Sequence, residues 1–536
     1  MRTNEYMIIS CPRIITMDDA LPIASAVCIS GGRIHAVGTL EEMRAFAPRG
    51  HSTELSLEKG VLVPGFIDSH SHLSMFAQCC NQFFCDISYG SIANMLDAFR
   101  AFAEKHAGDE WIIGYCYDDT GMKDNRHLTR HDLDSVCAGR PVFVCHITSH
   151  MGYGNTLALE KLGITPDLVI EGGEIVLGSD GQPEGLIKEN AYFQAFQKLP
   201  TCPDDQIPNL LEQAIAVYNS QGFTMFQEGG VGFAKGAHAL MRAYNKLARE
   251  GRMNARGYLH FMPEIMDEML EMGTWCMPVT DYLYYGGLKS FADGSIQSLT
   301  AVLSSPYSCR QDFCGNLVRT PEQIARLIDH YHSQGVPVAF HANGDAAIEF
   351  VVQGFEKTLR GKPNPVKGDM IIHVQMASDE QLARLKACGV TPTFFVRHVN
   401  VWGERHANIF IGEERASRLD PCGSCVRIGL PFALHVDSPV QPVNAIKSMH
   451  TAVNRTTTSG RVLGKDQKVS ALDALKAYTV NAARCTARED CAGVIAPGRY
   501  ADFTLLSDDP LSMPPEEIES IKVLKTISGG RIVYER

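Results

Sequence analysis

The chain has 536 residues, 45% hydrophobic and 21% charged, with a formal net charge of −12. It is too long for one ordinary domain, and its acidic balance argues against nucleic acid or an anionic membrane as a partner. No run approaches the ~18 consecutive apolar residues of a membrane span, and the opening MRTNEYMIIS lacks the apolar core and cleavage site of a signal peptide, so the expected location is cytoplasmic. The 17 cysteines are scattered and odd in number, which speaks against a disulfide framework. The C-x-x-C pair, Cys422 and Cys425, has no second pair to complete a zinc knuckle.

In chain order, residues 7–38 alternate and turn like an antiparallel sheet, and so does the tail from 492 onward. Both stretches contain Gly-Gly-Arg-Ile, at 31–34 and 529–532. We expect one small β-sandwich domain built from both termini, residues 1–60 and 480–536. Between them lies a series of β-like runs: VLVPGFID from 61, then runs at 222–230, 256–261, 283–294, 336–345, 369–375, 390–398 and 431–440. Helix-like segments separate several of them. TPEQIARLIDHYHSQG and SDEQLARLKACG have the acidic start and terminal glycine of capped helices. Eight runs alternating with helices predict an α/β fold, a (β/α)8 TIM barrel over residues 61–479. About 150 residues separate the first two runs, against about 30 for most later gaps. Residues 76–205 therefore read as an insertion after the first strand, with a hairpin in EGGEIVLGSDGQPEGLIKENA. Insertions in that kind of loop serve as lids or as decorative subdomains.

The first run ends in VLVPGFIDSHSH, residues 61–72. Side chains at i and i+2 of a strand share a face, so His70 and His72 aim two imidazoles at one point. Strand C-termini of a barrel converge on one face. That face also receives Lys289 from the fourth run, His341 from the fifth, His373 from the sixth and Asp437 from the eighth. Four histidines and an aspartate suit zinc or a similar divalent ion. Leu288 and Ser290 point to the opposite side of the strand, so Lys289 should face the barrel interior with the histidines and Asp437.

The motifs GFIDSHSH, SHMGYGNTLALEKLGI, KSFADGSIQS, FHANGDAAI, HVDSPV and LKAYTVNAARC, followed by GVIAPGRYADFTLL, run from about residue 60 to the C-terminal end. As a set they resemble the metal-dependent amidohydrolase superfamily, in particular amidohydrolase family 3, which includes N-substituted formamide deformylases. The resemblance implies that His70 and His72 hold a buried metal with Asp437, while His341 and His373 hold a second, more exposed one. Lys289 matches a lysine that such enzymes carbamylate with carbon dioxide to bridge two ions, which requires its neutral amine. The implied reaction is hydrolysis of a C–N bond of a small molecule by metal-activated hydroxide. Asp437 takes the proton and passes it to the leaving nitrogen. His150 and Asn155, Asp118, Asp293, His398 and Trp402 resemble positions near the substrate. Glu228 stands where an aspartate is expected, and strand eight carries an extra His435. Rival readings are a deaminase or cyclic-amide hydrolase of the same superfamily and a catalytically silent regulator. The sequence leaves a homodimer open.

Overall fold

The computed structural model describes residues 6–47, 50–79, 82–147, 151–170, 173–200, 202–233, 236–275 and 278–536. The chain divides into two compact units, residues 1–74 with 211–536, and residues 75–210.

The first unit contains eight parallel strands: β1 (Phe66–Ser71), β2 (Phe223–Val231), β3 (Arg256–Phe261), β4 (Leu283–Phe291), β5 (Val338–Ala342), β6 (Met370–His373), β7 (Thr391–Phe394) and β8 (Ala433–Leu434). They pair in chain order from β1 to β8. Hydrogen bonds draw the two outer strands together. Ser69 Oγ donates to the Leu434 carbonyl at 3.0 Å, and Val436 N donates to Asp68 Oδ1 at 3.1 Å. The sheet is thus a nearly closed barrel. Helices follow the strands, and their ends carry the expected signals. Thr320 caps Pro321–His332 and Ser378 caps Asp379–Cys388, each as a capping box with a glutamine three residues on. Ile67, Met225, Ala339, Met370, Ile372 and Ala433, from five barrel strands, form one apolar cluster with Cys485 and Tyr500.

The run VLVPGFID is two strands rather than one. Val61–Pro64 leaves the barrel and joins the terminal sheet, parallel to Tyr6–Ile15 and antiparallel to Phe503–Leu506. Gly65 marks the switch, because a β-carbon there would lie 2.1 Å from Thr224 Oγ1. The terminal strands form one eight-stranded sheet with members from both ends of the chain. One face packs Ile9, Val27, Ile29, Phe503 and Leu505; the other packs Ile8, Ala26 and Cys28 under Met43. The two Gly-Gly-Arg-Ile segments are hairpin turns. Both glycines of each have positive φ, 58° and 77° at Gly31 and Gly32, and 55° and 78° at Gly529 and Gly530. That is the backbone a two-residue hairpin of native twist requires.

The second unit is a six-stranded sheet with its own core, in which Phe83, Phe99, Tyr117, Val144 and Tyr153 are buried. Gly173–Leu177 and Pro183–Glu189 pair antiparallel and form the expected hairpin. Among the described residues no helix is long and apolar enough to cross a membrane.

Candidate metal centre

The C-terminal ends of the barrel strands bring seven polar side chains of the first unit together. His70 and His72 flank the end of β1, and both rings face Asp437, with Nε2 to Oδ1 distances of 3.7 and 3.8 Å. His373 approaches the other carboxylate oxygen, Nε2 to Oδ2 at 3.8 Å. Lys289 Nζ, fully buried, lies 3.4 Å from His70 Nε2. His435 Nε2 lies 3.4 Å from His373 Nδ1. His341 stands next in line, its ring centroid 4.6 Å from that of His373.

The backbone is bent to reach this arrangement. His373, Val374 and Asp437 have positive φ, 74°, 48° and 51°. A β-branched residue such as Val374 adopts that region at a cost of about 1–3 kcal/mol, and such residues cluster at functional sites. The His70 ring lies against Gly229, where a β-carbon would come within 2.2 Å of its Cε1. Asp437 is held by its amide on the His70 carbonyl at 3.3 Å, and His72 N donates to the Ser438 carbonyl at 2.9 Å. Asp68 fixes the seam from below. It accepts from Ser71 Oγ at 2.5 Å as well as from Val436 N, and burial pushes its carboxyl up to about 7.

Burial favours the neutral form of these histidines. Burial, reinforced by Lys289, holds His70 well below its ordinary value and brings His72 down to about 3. Burial also depresses His341, His373 and His435. A neutral imidazole keeps a lone pair for a metal. Burial lowers Lys289 toward the neutral amine and raises Asp437. A tetrahedral ion with bonds of ~2.0–2.2 Å separates its ligand atoms by roughly 3.3–3.6 Å, close to the 3.7–3.8 Å between the imidazoles and Asp437. Two sets of donor atoms converge in this way, His70, His72 and Asp437, and His373, His435 and Asp437. The residues present fit a divalent cation.

The other predicted residues are placed as follows. Asp293 is buried, accepts from the backbone amides of Val302, Asn343 and Gly344 at 2.8–2.9 Å, and has Oδ1 3.7 Å from His341 Nδ1; it holds His341 and the loops beside it. His398 is buried with its ring centroid 5.6 Å from that of His373, and Trp402 is 1% exposed behind it. Glu228 points to the helices, accepting from Ser74 N and Tyr244 Oη at 2.8 Å each. Burial raises its carboxyl to about 7. Asp118 belongs to the second unit, where it groups with Asp119 and His146. Asn155, also there, spends its amide on the backbone of Val142, Ala158, Cys137 and Arg140. His150 lies outside the described residues. Cys422 and Cys425 are free and buried.

His435 is the ligand candidate that the sequence reading set aside as an oddity. The signal was present, since His435 and Asp437 stand at i and i+2, as His70 and His72 do. Asp68 had no such signal, because its partner across the seam, Val436, lies 368 residues away along the chain.

Barrel and ligand set together define a metal-dependent hydrolase. The sequence pattern of the amidohydrolase family matches residues 53–534, and the chain belongs to that family. It is 28% identical to the N-substituted formamide deformylase of Arthrobacter pascens over 555 residues, 99% of each chain. It is 29% identical to YtcJ of Bacillus subtilis (strain 168) over 534 residues, 98% of each. An uncharacterized metal-dependent hydrolase from Pyrococcus horikoshii OT3 shares the fold, with a TM-score of 0.78 at 24% identity over 95% of this chain and 99% of that one. The protein is accordingly a hydrolase acting on carbon–nitrogen bonds.

Proposed function

We propose that the protein hydrolyses the amide bond of a small N-acyl amine, with N-substituted formamides as the first class to test. The observation that carries the reading is one carboxylate, Asp437, with three imidazoles 3.7–3.8 Å from its oxygens. The likeness to the formamide deformylase over the whole chain supports the substrate class. In this reading His70, His72 and Asp437 hold one ion, zinc by preference for this donor set. His341 and His373, with His435 beside them, hold a second. Lys289 would bridge the two ions as a carbamate, since burial lowers it toward the neutral amine, the form that reacts with carbon dioxide. Divalent ions held there supply Lewis acidity, lowering the pKa of a water and polarising a carbonyl. Asp437 takes a proton at a carboxylate oxygen and returns it to the leaving nitrogen. Burial raises its proton affinity, which suits a group that must do both near neutral pH. A catalytically silent relative would have no need to keep the whole ligand set.

Metal analysis followed by a substrate screen tests this. Bound divalent metal is expected, with release of amine and acid from N-substituted formamides or longer N-acyl amines. Turnover of cyclic amides alone, or of aminated rings with release of ammonia, would replace the substrate reading. A protein free of metal and inert on all of them would end it. Carbon-13 NMR after labelled bicarbonate reads the Lys289 carbamate directly.

A further inference from the structure

The segment after β7 has unusual backbone. His398–Trp402 and His406–Phe410 are π-helical, with one α-helical turn, Gly403–Arg405, between them. π-Turns are rare and concentrate at functional sites. The first opens with His398, whose ring neighbours that of His373. Its Nδ1 is sealed from solvent with no hydrogen bond, and Oδ1 of Asp420 lies 3.6 Å away. Asp420 is fully buried, and neither of its carboxylate oxygens has a hydrogen-bond partner.

Asp420 is held in place by design of the backbone around it. Its φ is +49°, the left-handed region that non-glycine residues seldom adopt. Its amide donates to the Gln375 carbonyl at 2.8 Å, which ties it to the chain two residues beyond His373. Its carbonyl accepts from Arg455 Nη1 at 3.1 Å. Arg455 is itself buried, and its remaining hydrogen bonds go to the carbonyls of Leu419 and Leu463 at 2.8 and 3.0 Å. A guanidinium beside a carboxylate would ordinarily pair with it. Here it grips the backbone and leaves the carboxylate to His398.

We propose that Asp420 is a positioning residue that takes the Nδ1–H of His398, fixes its tautomer, and presents Nε2 to the substrate beside the metal ligands. A neutral ring so held accepts a hydrogen bond at Nε2. The group it fits is the N–H of a monosubstituted amide, which a fully N,N-disubstituted amide lacks. The pairing of a histidine with a buried carboxylate that sets its tautomer is a general device.

The substrate part rests on the amide-hydrolase reading, so the test has one arm that needs no substrate. In metal-loaded protein labelled with nitrogen-15 in its imidazoles, His398→Gln identifies the His398 signals. They are expected to show the Nδ1–H tautomer in the wild type and to lose it in Asp420→Asn. Asparagine tolerates the left-handed backbone, so this variant keeps the fold. An unchanged tautomer in Asp420→Asn overturns the proposal whatever the substrate screen gives. In the second arm, on a hydrolysed monosubstituted amide, Asp420→Asn lowers kcat roughly 10–100-fold with little change in KM, the scale of a lost supporting contact. It has no further effect once His398 is Gln. Losses that add in the double variant mean that Asp420 acts through packing, and overturn the proposal. If the wild type hydrolyses no amide, the functional reading falls while the NMR arm still decides the positioning role.

Discussion

The barrel buries charge at both ends of its strands, in opposite ways. Where β3 begins, Arg256 forms a two-point pair with Asp502, Nε to Oδ2 at 2.7 Å and Nη2 to Oδ1 at 3.1 Å. Gly529 N supplies Asp502 with a third bond at 2.7 Å, and the guanidinium sits 3.6 Å over the Tyr500 ring. Each polar group there has its partner. At the other end, Asp437 stands among three imidazoles without a hydrogen bond to any of them, and Lys289 is buried beside His70. Buried polar groups are nearly always satisfied. A cluster left this open is therefore stabilised by something other than itself, whereas the closed pair joins the barrel to the terminal sheet. The contrast distinguishes structural charge from functional charge without reference to any relative.

The comparison breaks most sharply at its open end. Replacing His70 and His72 together with alanine removes two imidazoles from one donor set. Activity on any confirmed substrate should fall to background and metal content should drop, while circular dichroism and the thermal transition still report a folded barrel. Full metal and full turnover in that variant would remove the assignment. Asp437→Asn comes next. It keeps the volume and loses the basic oxygen, so kcat should fall by ~10²–10⁴-fold. Near-normal turnover would mean that another group carries the proton.

How much of this was legible beforehand depends on distance along the chain. The i, i+2 histidines at the end of β1 needed only strand geometry, and the eight runs needed only local pattern. The boundary between the sheets was misread at VLVPGFID, because both strands are apolar and only Gly65 separates them. His435 was visible and undervalued. Asp68 and Asp420 were invisible, since each acquires its meaning from residues that only the fold brings near, Val436 in one case and His398 in the other. The Arg256–Asp502 pair spans 246 residues and had no local sign. Long-range polar pairing is the information that periodicity does not carry.

The closed end gives the third test. Arg256→Met leaves the Asp502 carboxylate buried without its cation, which costs about 3–5 kcal/mol for a pair of this kind. The urea midpoint should fall accordingly, with metal content and kcat of the folded protein unchanged within about twofold. Adding Asp502→Leu should recover most of the loss, because an apolar pair of similar volume is nearly neutral in such places. A large fall in kcat at full metal content would show that the two ends are coupled, and the contrast between them would lose its meaning.

Glu228 offers the finest test, because it lies between the two cases: buried and hydrogen-bonded, yet without a cation. Its carboxyl is raised to about 7 from an ordinary 4.5, mainly by burial, with Ser74 N and Tyr244 Oη opposing the shift. The sign follows from which state binds more protons. Between about 4.5 and 7 the unfolded chain has lost this proton while the folded protein keeps it. Glu228 therefore contributes fully below 4.5, and its contribution is lost as pH rises through about 7. Glu228→Gln has no proton to lose. Its stability relative to the wild type should rise across pH 5 to 7 by about 2–3 kcal/mol, at most about 1.4 kcal/mol per pH unit, and level off above. Urea titrations of both proteins in parallel read this difference, and contributions from the metal ligands cancel between them. A difference that stays flat over that range would mean that Glu228 is ionised throughout. A cation then reaches it, and it belongs with the open end of the barrel rather than between the two.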